Sequence, residues 1–315
     1  MAHNIDSMFS VREKPWHYME TKDVTRIIQE APNSADALTA AGLDWLVIQK
    51  PVHMEDGSVI PNYKANVRSK DNSVLGIVTD RYKIVQNKDA FSFTDNLIGG
   101  DVRYETAGAL QGGRKVWLLA KLPAKTVAGD EVEPYLCFTN SHDGTGAIKV
   151  CMTPIRVVCN NTLNLALDSA KRMWSTKHLG NVEQKIYEAR HCLMMADTYM
   201  EHLNEYAEQL AKVKVTDEEL KSILAEMFPV EEDDTNRKKS SAEQAKESYM
   251  ICYFAPDIEK FRGTAWGVVN AMADMVGHST PLRRTKNYAE NQWGRIMDGH
   301  MLMDKLVDRV GAMVK

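Results

Sequence analysis

Two groups of residues carry side chains that could do chemistry. The first is the segment Asn140-Ser141-His142-Asp143-Gly144-Thr145-Gly146, which sets an imidazole beside a carboxylate between two β-rich stretches. A loop between strands exposes polar side chains and a histidine titrates near neutrality, so His142 and Asp143 are the candidate acid–base pair of a hydrolase or nuclease. The same residues make good turns, because Asp and Gly tolerate positive φ, and the turn role is the simpler reading. The second group is cationic. Lys64, Arg68, Lys70, Arg81, Lys83, Arg114, Lys149 and Arg156 fall on or beside segments that also hold Tyr63, Tyr82, Trp117 and Tyr135. Such a mixture grips a phosphate backbone while rings stack on bases. Against it stands the ordinary role of a strand charge as a solvated face and of an aromatic as core.

Other chemistries find little footing. His191 and His202 share a helix face but lie about 16 Å apart by helical rise, too far to hold one metal. The acidic residues show no two-metal spacing, and neither a metal nor a cofactor is expected. Cys159 beside Asn160-Asn161 lacks a nucleophile elbow, and Asn161 is better read as a helix cap. The Gly108–Gly113 loop has glycines for a phosphate cradle but not the Lys-Ser pairing of a P-loop. The chain is more readily a binder than an enzyme.

Five cysteines without CxxC spacing suit reduced thiols. Residues 1–10 lack the basic and apolar segments of a secretory signal, and no apolar run approaches a membrane span. A cytoplasmic protein is therefore expected, without a membrane partner. The net charge of −4 hides a segregation. Between Ile60 and Val182 there are 16 basic and 11 acidic residues, a balance of +5; between Glu183 and Lys260 there are 10 and 18, a balance of −8. The cationic half suits a polyanion, and the anionic half could face solvent or a host protein that the chain blocks.

These residues need a scaffold. Residues 1–42 read as an arm carrying Pro15-Trp16-His17, a short helix from Thr21 to Glu30 and a second from Asn33 to Gly42. Asp44–Val52, Val59–Arg68 and Val74–Thr79 alternate as strands around Asp-Gly-Ser and Lys-Asp-Asn-Ser turns, an antiparallel meander. A helix from Lys88 to Ile98 and a hairpin of Val102–Ala107 with Lys115–Leu122 follow. Tyr135–Thr139 and Ile148–Met152 are further strands, the latter running through two asparagines into a helix near Leu167. Past Leu167 the pattern is helical: Val182–Val213, a capping box at Thr216 opening a helix to Phe228, then Ala242–Tyr253, Gly263–Val276 and Tyr288–Val314. Residues 229–241 have almost no apolar content and read as a mobile loop. The expected architecture is α+β, an antiparallel hairpin-rich sheet with packed helices over 43–170, then a helical region over 171–315.

Several blocks are similar to a known family. PWH, AGLDW, LGIVTDRYKIVQN, ETAGALQGGRKVW, TNSHDGTGAIKVCMTPIRVVCNNTLNLAL and GTAWGVVNAMADMVGH resemble the phage/plasmid-like proteins that carry domain of unknown function 932. The likeness spans most of residues 11–278 and is most specific from Leu75 to Leu167. It implies a bacteriophage or plasmid origin in a bacterial cell, and supplies no activity to transfer. A looser likeness of fold is to phage single-strand annealing recombinases, which place a curved hairpin sheet before helices and assemble into rings. The expected function is nucleic-acid binding, of single-stranded DNA above all, in recombination or replication of mobile elements, with self-association a natural companion.

Overall fold

The computed structural model describes residues 5–11, 25–29, 31, 33–98, 103–156, 173–181, 184, 190–278 and 299–314. The class is α+β, as the alternation of patterns requires. The strands are β1 (Ile5–Ser10), β2 (Thr25–Ile27), β3 (Val47–His53), β4 (Val59–Arg68), β5 (Val74–Thr79), β6 (Arg103–Leu110), β7 (Lys115–Lys121), β8 (Lys125–Val127), β9 (Asp130–Ser141), β10 (Ile148–Arg156) and β11 (Met173–Thr176). The helices are α1 (Ser34–Ala40), α2 (Asn87–Ile98), α3 (Arg190–Lys212), α4 (Asp217–Met227), α5 (Asn236–Tyr253), α6 (Ala265–His278) and α7 (Met301–Gly311).

Two compact units divide the chain, and they do not follow a linear partition. One comprises residues 1–123, 135–152 and 172–196; the other comprises 124–134, 153–171 and 197–315. In the first, β3, β4 and β5 form a three-stranded antiparallel sheet. A larger sheet runs in the order β11-β10-β9-β7-β6-β1-β2, with β8 paired to β9. Its central strands β6 and β7 are buried at nearly every position, because both of their faces are covered. Phe9, Leu43, Trp45, Val47, Leu75, Phe91, Leu118 and Phe138 pack into one core with α1 and α2.

In the second unit, α6 is apolar all round and buried along most of its length, the signature of a central helix. The α5 and α7 helices pack against it. The expected capping box is present: Thr216 accepts from the Glu219 backbone, and the Glu219 carboxylate accepts from the Thr216 N–H at 2.8 Å.

Three local expectations are corrected. Residues 25–27, expected inside a helix, form a strand parallel to β1, where β-branched Thr25 and Ile27 suit an edge. Ile5–Ser10 is itself a strand, held by β6 about a hundred residues away. The supposed loop up to Ser241 gives way at Asn236 to α5, capped by Thr235 and supported by a Lys238–Asp234 pair at 2.7 Å. The Pro15-Trp16-His17 arm, the segment from Val157 to Leu167 and the run from Ser279 to Asp298 lie outside the described residues.

Gly76 decides how closely the three-stranded sheet approaches the 140–146 turn. A methyl group there would stand 2.5 Å from Asp143 Cα and 2.7 Å from its carbonyl oxygen. Gly76→Ala is therefore expected to cost about 1–3 kcal/mol through overlap, seen as a lower urea midpoint at unchanged slope. Gly277→Ala in α6, with open space around it, should leave the midpoint unchanged or raise it.

Candidate functional site

The Ser141-His142-Asp143 turn closes β9, and four side chains fasten the surrounding segments together there. Asn66 of β4 donates to the His142 carbonyl at 2.7 Å, and the Tyr82 hydroxyl donates to the Ser141 carbonyl at 2.6 Å. Asn140 Nδ2 donates to the Val85 carbonyl at 3.0 Å. Asn87, at the start of α2, donates Nδ2 to the Leu43 carbonyl at 3.0 Å, which turns its Oδ1 toward His142. The contact of that oxygen with His142 Nε2 is 2.9 Å, so Nε2 carries the proton and Nδ1 keeps its lone pair.

His142 is not exposed. Its ring is wholly buried, edge-on to Trp45 at 5.5 Å, and Nδ1 has no hydrogen-bond partner. The expectation that a loop between strands would present this imidazole to solvent fails because the loop is clamped beneath the sheet. Burial, with a smaller effect from neighbouring His178, pulls its pKa down to about 3. His178 is a second buried imidazole that sequence reasoning missed. It stacks on Tyr82 at 4.5 Å, donates Nδ1–H to the Lys83 carbonyl at 2.9 Å, and leaves Nε2 unpartnered. Burial lowers its pKa too, against the raising effect of that carbonyl. Asp143 is half-buried. Burial pushes its carboxyl up, but hydrogen bonds from Ser141 at 2.5 Å and from Thr145 at 2.7 and 2.8 Å outweigh it and leave the group below its usual range.

The expected cations separate into four places. On the three-stranded sheet, Lys64 is half-buried and lines an open groove of about 260 Å³ with Gln49, Lys50, Asn62, Tyr63 and Asp80. Arg68 at the other end of β4 is committed to Asp71 by two bonds of 2.6 and 3.0 Å and lies over the Trp45 ring at 5.7 Å. Arg81 and Lys83 are exposed on the segment after β5. Arg114 is exposed in the β6–β7 turn, where its carbonyl accepts from the His142 N–H at 2.7 Å. Lys149 is half-buried in β10, and Arg156 ends that strand with its side chain outside the described residues.

The rings do not follow the cations. Trp117, expected to stack on a base, is enclosed in β7 opposite Gly108, where the missing side chain makes room for the indole. Tyr82 and Tyr135 are buried as well, the latter donating to Glu105 at 2.8 Å. Tyr63 alone of the four is exposed. Among the described residues no group of three or more His, Cys, Asp or Glu side chains is placed to hold a metal.

A family model described as Domain of unknown function (DUF932) matches residues 74–294. The chain belongs to the DUF932 family. Within the DUF932 span fall Arg81, Lys83, Asn87, Arg114, the His142 turn and His178, whereas Lys64, Arg68 and Asn66 precede it. No curated protein and no solved structure matches the chain. None of the described helices is long and apolar enough to cross a membrane.

The two depressed imidazoles set a pH dependence. The unfolded chain takes up a proton at each near pH 6.5, while the folded form holds His142 neutral down to about pH 3. Stability is thus full above about pH 6.5 and falls as pH drops below it, by about 1.4 kcal/mol per unit for a fully buried ring. At pH 4.5 the loss from His142 is expected to reach roughly 2–3 kcal/mol. Urea melts of wild type and His142→Gln across pH 4–8 check this: the variant should lose part of the acid slope, and parallel profiles would refute the assignment.

Proposed function

We propose that this chain is a nucleic-acid-binding protein of phages or plasmids that holds single-stranded DNA during recombination or replication of mobile elements, annealing included. The supporting observation is the state of its cations. Lys64, Arg81, Lys83 and Arg114 enter no ion pair among the described residues, whereas Arg68, Lys260 and Arg309 each sit on a carboxylate. A cation without an internal partner gives up no folded-state interaction when a phosphate reaches it, and each phosphate so neutralised releases counterions.

Lys64 in the groove, with Arg81 and Lys83 on the segment leading away from β5, supplies a short run of positive charge. Tyr63, exposed at the same groove, gives one ring on which an unpaired base can stack. Binding of this kind needs no reacting group. Hydrolysis through His142 and Asp143 draws no support from the geometry, since both imidazole nitrogens are enclosed.

Fluorescence anisotropy of a labelled oligonucleotide titrated with salt tests the proposal. Affinity should fall steeply with salt. Lys64→Glu or Arg81→Glu should weaken binding about tenfold or more and flatten the log–log slope by roughly 0.7 for each phosphate no longer neutralised. An absence of binding at low salt, or binding indifferent to salt, would reject it.

A further inference from the structure

The three-stranded sheet has a second face that the His142 clamp does not use. The register sets Ile48, Val67 and Val74 in one cross-strand row, and Lys50, Ala65 and Ile77 in the next. Leu46, two residues before Ile48, lies on the same face by the period of two. Side chains on this face alternate with those that anchor the turn, Asn66 among them.

Leu46, Ile48, Val74 and Ile77 are exposed at 51%, 45%, 54% and 52%, while Ala65 and Val67 between them are at 8% and 4%. The result is a shallow trough of small side chains bordered by two half-exposed apolar ridges. The ridges leave on the order of 400 Å² of apolar surface open, the size of the largest patch on a typical monomer, which is often functional. With Tyr63 at the rim, Thr79 and the stem of Lys50, the area approaches roughly 600 Å², about what each partner gives to the smaller specific interfaces.

We infer that this face pairs with the same face of a second copy of the chain. Three observations select that occupant. The face is self-complementary in shape, because a ridge residue such as Ile77 can settle over the Ala65 trough of a twofold-related copy, as inner faces of sandwich sheets interdigitate. It is also neutral in effect: Lys50 is the one charged side chain in these rows, and its ammonium is bound to Asn72 Oδ1 at 2.8 Å. A polyanion or a charged peptide finds no complementary set of charges there, and an isologous contact needs none. Lastly, the outer edge of β3 is closed to strand addition at Val47, whose N–H and C=O both bond the Gln86 amide at 2.9 Å, and at Pro51, which has no N–H. Strand addition along β3 is therefore interrupted at both of these positions, which leaves its face for association.

Light scattering on the full chain, eluted from a sizing column over a wide concentration range, tests the pairing. The wild type should show at least twice the 35.5 kDa chain mass. Ile77→Glu and Ile48→Glu should each halve the mass of the assembly while far-UV circular dichroism stays unchanged, since both side chains are half in solvent already. Ile77→Ser serves the same purpose should the charge disturb the fold. A wild type that is monomeric at every concentration overturns the inference, as does an assembly that survives all three substitutions. A monomeric wild type whose oligonucleotide binding is lost in Ile77→Glu would overturn it in favour of unpaired bases as the occupant.

Discussion

The arrangement depends on burying four polar side chains without leaving them unpaired. Asn66, Tyr82, Asn87 and Asn140 are all removed from water, which costs free energy unless each finds a partner of good geometry. Each does, and all four donate to backbone carbonyls, those of His142, Ser141, Val85 and Leu43. The fourth, Asn87, holds Leu43 on one side and His142 on the other. These bonds join β4, the segment after β5, α2 and the end of β9 through one turn, and they fix its position more narrowly than apolar packing would. A slipped register of β4 would withdraw Asn66 from the interior and strand the His142 carbonyl.

That clamp explains why the chemistry suggested by the turn and the chemistry available at the surface differ. Spacing alone puts an imidazole and a carboxylate side by side, as a general base and its orienting acid would be. Here the carboxylate serves its own loop through Ser141 and Thr145, and the imidazole serves Asn87. The side chains still open to a ligand are the cations that the clamp leaves outside.

Much of the scaffold was legible because it is local. Val59–Arg68 and Val74–Thr79 match their strands residue for residue, since alternating apolar positions between Asp-Gly-Ser and Lys-Asp-Asn-Ser turns specify both ends. The capping box at Thr216 was legible for the same reason. What could not be read depends on distant partners. Alternation in β7 shows that Trp117 belongs to a strand, but whether its face is covered depends on what packs on the sheet from distant parts of the chain, and here both faces are buried. Ile5–Ser10 has too mixed a composition to announce itself, and its strand exists through β6. The start of α5 has no apolar stripe to reveal it, because only Tyr249 and Tyr253 of that helix are buried. Asn66 and Asn87 carried a faint signal, as amides inside otherwise apolar runs, but nothing in the sequence tells a buried amide from a solvated one.

The three-stranded sheet thus divides its work between its faces. Strand geometry forces successive side chains to opposite sides, so a β4 that turns Asn66 and Lys64 one way must turn Ala65 and Val67 the other. On the first side the clamp takes up the end nearer β9, and the groove with Lys64 is what remains open. On the second side no polar group requires a partner, and the small central residues favour close approach of another flat apolar surface. A chain that pairs through the second side presents two copies of the first, each with its unpaired cations. Two such surfaces in one assembly would hold a flexible polyanion at two points, and linked sites raise apparent affinity well beyond that of either alone. The alternation of one strand can in this way couple self-association to ligand binding, with Tyr63 and Lys50 at the border of both sites.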